Sequence, residues 1–286
     1  MKEANRSGNL VTMLLLMPTS LWFLFLLILP LAVVFVFSFG ERAPAGGYTP
    51  SFTLAQYANL PARFTAFKNT MTLAPLGTVA CLFVAYPLAY FLAIKASPRF
   101  KMLLLVLVIL PFWTSFLIRT YAWMFILGGR GVPALIEWLG FEPVRLIYTR
   151  GAVLLGIIYG YLPLMVFPIF VSLEKLDKRL LEASDDLGAS PARTFLQVTL
   201  PLSAPGVITG CMLVFILLMG EFLIPAILGG GMVFFVGNAL VDLFLQSRNW
   251  PFGSAVAVSL VFVMLVTVTL YLRLTRGKGQ RNTSLL

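Results

Sequence analysis

Six stretches of this chain run for about twenty residues or more with almost no charge, the length a helix needs to cross the hydrocarbon core of a bilayer. They are about Met13–Phe39, Met71–Ile94, Met102–Leu127 (continuing past Arg119), Gly151–Leu173, Leu202–Ile227 and Phe252–Leu272. In lipid every backbone N–H and C=O must be satisfied within the protein, so such runs become helices. The rest of the composition agrees. Only 11% of residues are charged and mean hydropathy is +0.94, where a soluble domain carries about a quarter charged residues. The expected fold class is an all-α polytopic membrane protein with six transmembrane helices. Residues 1–286 would then form one membrane domain. Lys2 and Arg6 precede the first run, as in a signal peptide. The run is too long for that, and no small-residue cleavage site follows, so it reads as a retained helix.

Composition also removes whole classes of chemistry. With no histidine, His-dependent triads, HExxH zinc sites and histidine proton relays are excluded. No metal site is expected. Cys81 and Cys211 each lie inside an apolar run and read as small buried hydrophobes, not a disulfide. The net charge of +10 is scattered among connecting segments and does not mark a nucleic-acid surface. It does set orientation. The segments that carry Lys2 and Arg6, Lys95 to Lys101, Lys175 to Arg193, and Arg273 to Arg281 hold 13 of the 21 basic residues. The denser side should be cytoplasmic, which puts both termini there. GxxxG pairs at Gly156/Gly160 and Gly206/Gly210 would let helices approach closely, a weak signal in a chain with 23 glycines.

One polar stretch interrupts the oily pattern, "SLEKLDKRLLEASDDLGASPARTFLQVTLP" over residues 172–201. Leu173, Leu176, Leu180, Ala183 and Leu187 recur every three or four residues, one apolar stripe on a helix. Glu174 and Lys178 form an i,i+4 pair in the favoured order. Gly188 is placed to end that helix in a left-handed turn. Ser190 can cap a second short helix, with Pro191 at its first position. Pro201 is expected to break helical geometry at Leu200 and mark the turn into the fifth run. A folded amphipathic loop of mixed charge can be a solvated connector or a docking element. A membrane-surface helix would want a basic polar face instead.

These residues resemble a known family. The pattern E-A-A-x3-G-x9-I-x-L-P is the "EAA loop" of permease subunits in binding-protein-dependent ABC importers. Glu182, Ala183, Ser184, Gly188, Val198, Leu200 and Pro201 stand at matching spacing, with serine for the second alanine and valine for isoleucine. The stretches "LPFWTSFLIRTYAWMFIL", "YLPLMVFPIFVSLEKLDKRLLEASDDLGAS" and "GEFLIPAILGGG" are similar to the spermidine/putrescine branch of PotB/PotH type. The resemblance implies a type I ABC importer permease fold, a core of about five helices with the first span peripheral. Segment 174–201 would be a cytoplasmic coupling loop, with Leu187 and its neighbours as the part that grips the partner. It also implies an ATP-binding cassette ATPase dimer carrying ATP and Mg on separate chains. A second permease subunit and a periplasmic substrate-binding protein complete the assembly. The sequence contains no G-x4-G-K-[ST] phosphate loop, so no cofactor is expected on this chain. It would be a transport subunit, not an enzyme.

Two ionisable residues fall inside apolar runs, Arg119 and Glu221. A charge at bilayer depth normally faces a cavity or a partner. One reading has them snorkel to the outer interface or pair with each other. The other has Glu221 line the substrate pathway, where Tyr121 and Trp123 could add cation–π contacts to a polycationic amine. Asp242 is a weaker pathway candidate. Polyamine import is the expected activity. Import of another small solute (sulfate, phosphonate, ferric ion or an opine-like compound) stays open, as does a stand-alone secondary transporter. The latter would want two related halves with broken helices, and no such symmetry is visible.

Overall fold

Helix follows the apolar runs throughout the computed structural model, which describes residues 12, 15–142 and 144–283. The principal helices are α1 (Leu15–Phe37), α2 (Phe64–Tyr90), α3 (Pro98–Trp113), α4 (Phe116–Leu127), α5 (Arg150–Glu174), α6 (Lys178–Asp186), α7 (Pro191–Met219), α8 (Leu223–Leu228) and α9 (Trp250–Thr283). Among the described residues five helical segments are long and apolar enough to cross a bilayer, and the bent pair α3–α4 makes six if it counts as one span.

The chain packs as two units. One joins the described part of Met1–Ala62 to Leu240–Phe262, the other Arg63–Ala239 to the described part of Val263–Leu286. In the first, Glu41–Arg42 pairs antiparallel with Tyr48–Thr49. The Arg42 guanidinium donates to Ser247 O at 2.8 Å, and Phe37 stacks on Tyr48 at 4.2 Å. The large apolar side chains of α1 are exposed, as lipid would require of a helix that covers no core.

In the second unit α2, α5 and α7 pack on one another. Ala74, Cys81, Ala85, Ile157, Met165, Ile169, Val214 and Leu218 are fully buried between them. Both GxxxG pairs are used. A Cβ on Gly206 would lie 2.5 Å from Pro168 O, and one on Gly210 would lie 2.9 Å from Met165 Sδ, so α7 crosses α5 nearly backbone to backbone. Gly156 receives Leu228 and Ile224 of α8 in the same way. The start of α5 is fixed by Thr149, whose Oγ1 accepts from Ala152 N at 3.1 Å. Cys81 and Cys211 are free thiols.

Three expectations need correction. The third run is not one helix. It breaks at Thr114–Ser115, both extended, and bends by 91°. Pro111 has no N–H for the carbonyl of Leu107 and presses its ring on that carbonyl. Its own carbonyl is then taken by Thr114 N and Thr114 Oγ1. The fifth run, conversely, has no turn at Pro201. Helix continues from Pro191 to Met219, because a π-turn at Phe195–Thr199, closed by Leu200 N to Phe195 O, widens the coil where the proline ring would press on Gln197. The apolar stripe is also not continuous. α5 ends at Glu174, and a new helix starts at Lys178 because the Asp177 carboxylate accepts from Arg179 N at 3.0 Å.

Candidate functional site

The stripe residues part company at that break. Leu173 is 2% exposed, in the core of its span, whereas Leu180 on α6 is 47% and Leu187, the C-cap of α6, 87% exposed. Nothing in the described chain covers the outer part of this nine-residue helix. Its far end is closed by local chemistry. Gly188 has φ +73°, Gly188 N donates to Asp185 O at 2.9 Å, and Ala189 N donates to Ser184 O at 3.1 Å. These are the paired bonds of a Schellman motif, which satisfies carbonyls the helix would leave bare. Ser190 holds the next N-cap position in extended backbone, but its hydroxyl makes no capping bond; Thr194 N bonds its carbonyl instead. The expected Glu174/Lys178 pair involves a side chain outside the described residues. Glu174 itself receives the Lys101 ammonium at 2.8 Å.

The Asp177 carboxylate caps the front of α6. Its replacement by alanine removes a single acceptor from a helix too short to stand alone. Asp177→Ala is expected to cost about 1 kcal/mol of local stability. Hydrogen exchange of the amides from Arg179 to Glu182 should quicken about fivefold, while those of α5 stay unchanged.

A chain of contacts leads inward from α6. Ser184 Oγ and Thr194 Oγ1 lie 2.9 Å apart across the glycine corner, and Thr194 is buried. The next residue, Phe195, meets Tyr86 and Tyr90 of α2 edge to face at 5.6 and 6.1 Å. Tyr86 in turn shares a hydrogen bond of 2.8 Å with Ser203, whose hydroxyl is fully buried. Each such aromatic pair is worth about 0.5–1.5 kcal/mol beyond its burial; Tyr86 is buried, and Tyr90 and Phe195 are half-buried. Side-chain contacts thus run without a gap from α6 to α2 and α7. Among the residues singled out from sequence, Glu182, Ala183, Ser184, Leu187 and Gly188 share the α6 end of this joint. Val198, Leu200 and Pro201 lie on the opening turns of α7, Leu200 and Pro201 exposed and Val198 half-buried. Beside the joint, Leu176, Leu180 and Leu202, together with Lys175 and Asp177, line a cleft of about 790 Å³.

Tyr86, Tyr90, Thr194 and Phe195 were missed from sequence. The i,i+4 spacing of the two tyrosines inside an apolar span was the only available signal.

The intramembrane charges do not pair with each other here. Glu221 follows the end of α7 and is 6% exposed. Its Oε1 accepts from Leu223 N at 2.7 Å and Ile224 N at 3.1 Å, which fixes the start of α8, and its other oxygen accepts from the Tyr161 hydroxyl. Glu221 thus stands in a break between helices, not late in a span. Arg119 is 8% exposed on α4, its Cζ 5.8 and 5.4 Å from the centroids of Phe112 and Phe116. Its Nε and Nη1 have no hydrogen-bond partner. Trp123 packs edge to face on Tyr159 at 5.4 Å, and Tyr121 is exposed. Neither makes a ring contact or hydrogen bond with Glu221 among those described. Asp242 belongs to the other unit, at the start of the π-turn Asp242–Gln246.

The sequence profile of the family "Binding-protein-dependent transport system inner membrane component" matches residues 85–279. The spermidine/putrescine transport system permease protein PotB of Haemophilus influenzae is 40% identical over 258 residues, 88% of this chain and 90% of its own. That of Escherichia coli (strain K12) is 40% identical over 260 residues, 89% and 94% of the two chains. The inner membrane ABC transporter permease protein YdcU of Escherichia coli (strain K12) is 33% identical over 247 residues, 81% and 77%. The backbone matches a bacterial ABC transporter involved in the import of the acidic polysaccharide alginate, with TM-score 0.70, 20% identity, and 96% and 97% of the two chains covered. It also matches a bacterial alginate ABC transporter in complex with an alginate pentasaccharide-bound periplasmic protein, with TM-score 0.76, 19% identity and 97% of each chain covered. These two likenesses establish the fold alone. The chain belongs to the family of binding-protein-dependent transport system inner membrane components, as a multi-pass inner-membrane permease subunit of an ABC importer.

Proposed function

We propose that this subunit passes a small polyamine, putrescine or spermidine, inward across the membrane by alternating access, and that segment 174–201 couples it to a separate ATPase. The substrate class is supported by the two PotB relatives, which match nearly the whole chain at 40% identity. The coupling role is supported by one observation above all. α6 presents Leu180 and Leu187 outward, is closed by a glycine motif, and is tied through Thr194 and Phe195 to α2. A helix with an uncovered apolar face and a rigid connection behind it suits a socket on another protein.

In this reading both termini and the coupling segment are cytoplasmic. ATP and Mg bind on the ATPase dimer, and no cofactor binds here. A second permease subunit and a periplasmic substrate-binding protein complete the assembly. ATP-driven closure of the ATPase moves α6, and the Ser184–Thr194–Phe195–Tyr86 contacts carry that movement to α2 and α7. The membrane surrounds the spans; no nucleic acid is involved.

Leu187→Glu tests the coupling. Leu187 is exposed, so folding and insertion should be unaffected, whereas a carboxylate pressed into an apolar socket costs several kcal/mol. Capture of the ATPase by the detergent-extracted subunit and labelled putrescine uptake are both expected to fall at least tenfold. Undiminished capture would place the socket elsewhere. Wild-type uptake of neither putrescine nor spermidine would overturn the substrate and leave the coupling standing.

A further inference from the structure

We infer that Arg119 and Glu221 close into a direct ion pair in a second conformation of the transport cycle, and that the structure shows the open arm of that switch. Among the described residues they are the only buried cation and the only buried carboxylate. Glu221 is satisfied: the Tyr161 hydroxyl and two backbone N–H groups surround its oxygens. Arg119 is not. Its buried Nε and Nη1 find no acceptor. The faces of Phe112 and Phe116 offer it cation–π attraction, which leaves those N–H groups unbonded. A buried charge without an acceptor is costly, and Glu221 is the one buried carboxylate among the described residues that could supply one in another state.

Two rings in contact link their surroundings. The Phe116 centroid is 5.4 Å from Arg119 Cζ and 6.0 Å from the Tyr161 centroid, and Tyr161 holds Glu221. Both charges adjoin interruptions in the helices. Arg119 follows the extended Thr114–Ser115 break by one turn, and Glu221 lies in the Gly220–Phe222 break ahead of α8. α4 and α8 pack on each other, so rotation at either break moves the Phe116 ring relative to Glu221. A guanidinium is a stronger donor to a carboxylate than a phenol or an amide. Arg119 therefore displaces Tyr161 once the ring is out of the way. Arg119 acts here as a positioning residue that sets which conformation persists.

A double-mutant cycle separates this switch from two independent structural roles. Uptake of labelled putrescine, per inserted subunit of the assembled transporter, is measured for Arg119→Gln, Glu221→Gln and the double variant. Each single change should lower uptake at least tenfold, and the double should be no worse than the worse single. Arg119→Lys, which keeps the charge, should recover at least a third of wild-type uptake. Losses that multiply in the double variant would overturn the pair, as would full uptake in either single variant. If a neutral variant fails to insert, Arg119→Lys and Glu221→Asp take its place in the same cycle: non-multiplying losses support the pair, and multiplying losses overturn it. If the wild type imports no putrescine, that counts against the substrate alone. The cycle is then read on ATP hydrolysis by the assembled transporter, which requires no knowledge of the solute.

Discussion

Gly206→Leu is expected to remove most of the folded protein. The α5–α7 crossing is a close backbone approach in the core. Even a single Cβ on Gly206 would stand 2.5 Å from Pro168 O, 2.5 Å from Ser172 Cβ and 3.1 Å from Ile169 Cα. Two of those atoms are backbone, so no rotamer change relieves the clash; α7 must lift from α5. Forcing extra methylenes into a packed core costs about 1–3 kcal/mol when side chains can yield, and more when backbone must shift. A leucine adds four carbons where not even the first fits. With total stabilities of only about 5–15 kcal/mol, that is a large share of the whole. The yield of monodisperse protein after detergent extraction should drop several-fold, and the thermal midpoint of what remains should fall by ten degrees or more. Gly129→Ala is the control, since a Cβ there meets nothing within 4 Å, and its midpoint should match wild type. A wild-type midpoint for Gly206→Leu would mean that the two helices separate freely at this point.

The spans were legible because bilayer thickness leaves few choices. A run of uncharged residues long enough to cross must become helix, and α5 falls within one residue of its expected bounds at each end. Proline was the unreliable sign, and it erred in both directions. Pro111 breaks a run that reads as continuous, whereas Pro201 sits inside a helix that reads as broken. Local preference alone does not decide such cases; a π-turn that widens the coil, or a neighbouring hydroxyl that takes the carbonyl of the proline itself, does. The glycine corner was readable for the opposite reason, since all the groups that make the Schellman bonds lie within six residues of one another. The surroundings of Glu221 were not. Tyr161 stands 60 positions away, and no spacing rule connects them. Burial alone would have suggested a binding carboxylate, while the bonds show that in this conformation it starts a helix.

The joint itself yields the other large effect. Gly188→Val is expected to abolish uptake while the subunit remains in the membrane. Gly188 has φ +73°, and a Cβ there would meet no atom within 4 Å. The penalty therefore comes from the backbone, not from neighbours. An L-residue in the left-handed region costs roughly 1–2 kcal/mol, and a β-branched one is least tolerated there. That is small beside the stability of the spans but large beside that of α6, whose nine residues are too few to hold a helix on their own. Valine should release the bonds from Gly188 N to Asp185 O and from Ala189 N to Ser184 O. The last turn then unwinds, Leu187 leaves its position, and the Ser184–Thr194 contact loosens. ATPase capture and uptake should both fall more than tenfold, with insertion unchanged. Asparagine tolerates the same backbone region, so Gly188→Asn should keep at least half of both activities. Equal loss in the two variants would point to a steric limit in the socket, and full uptake with valine would show that the closed end of α6 is not needed to transmit force.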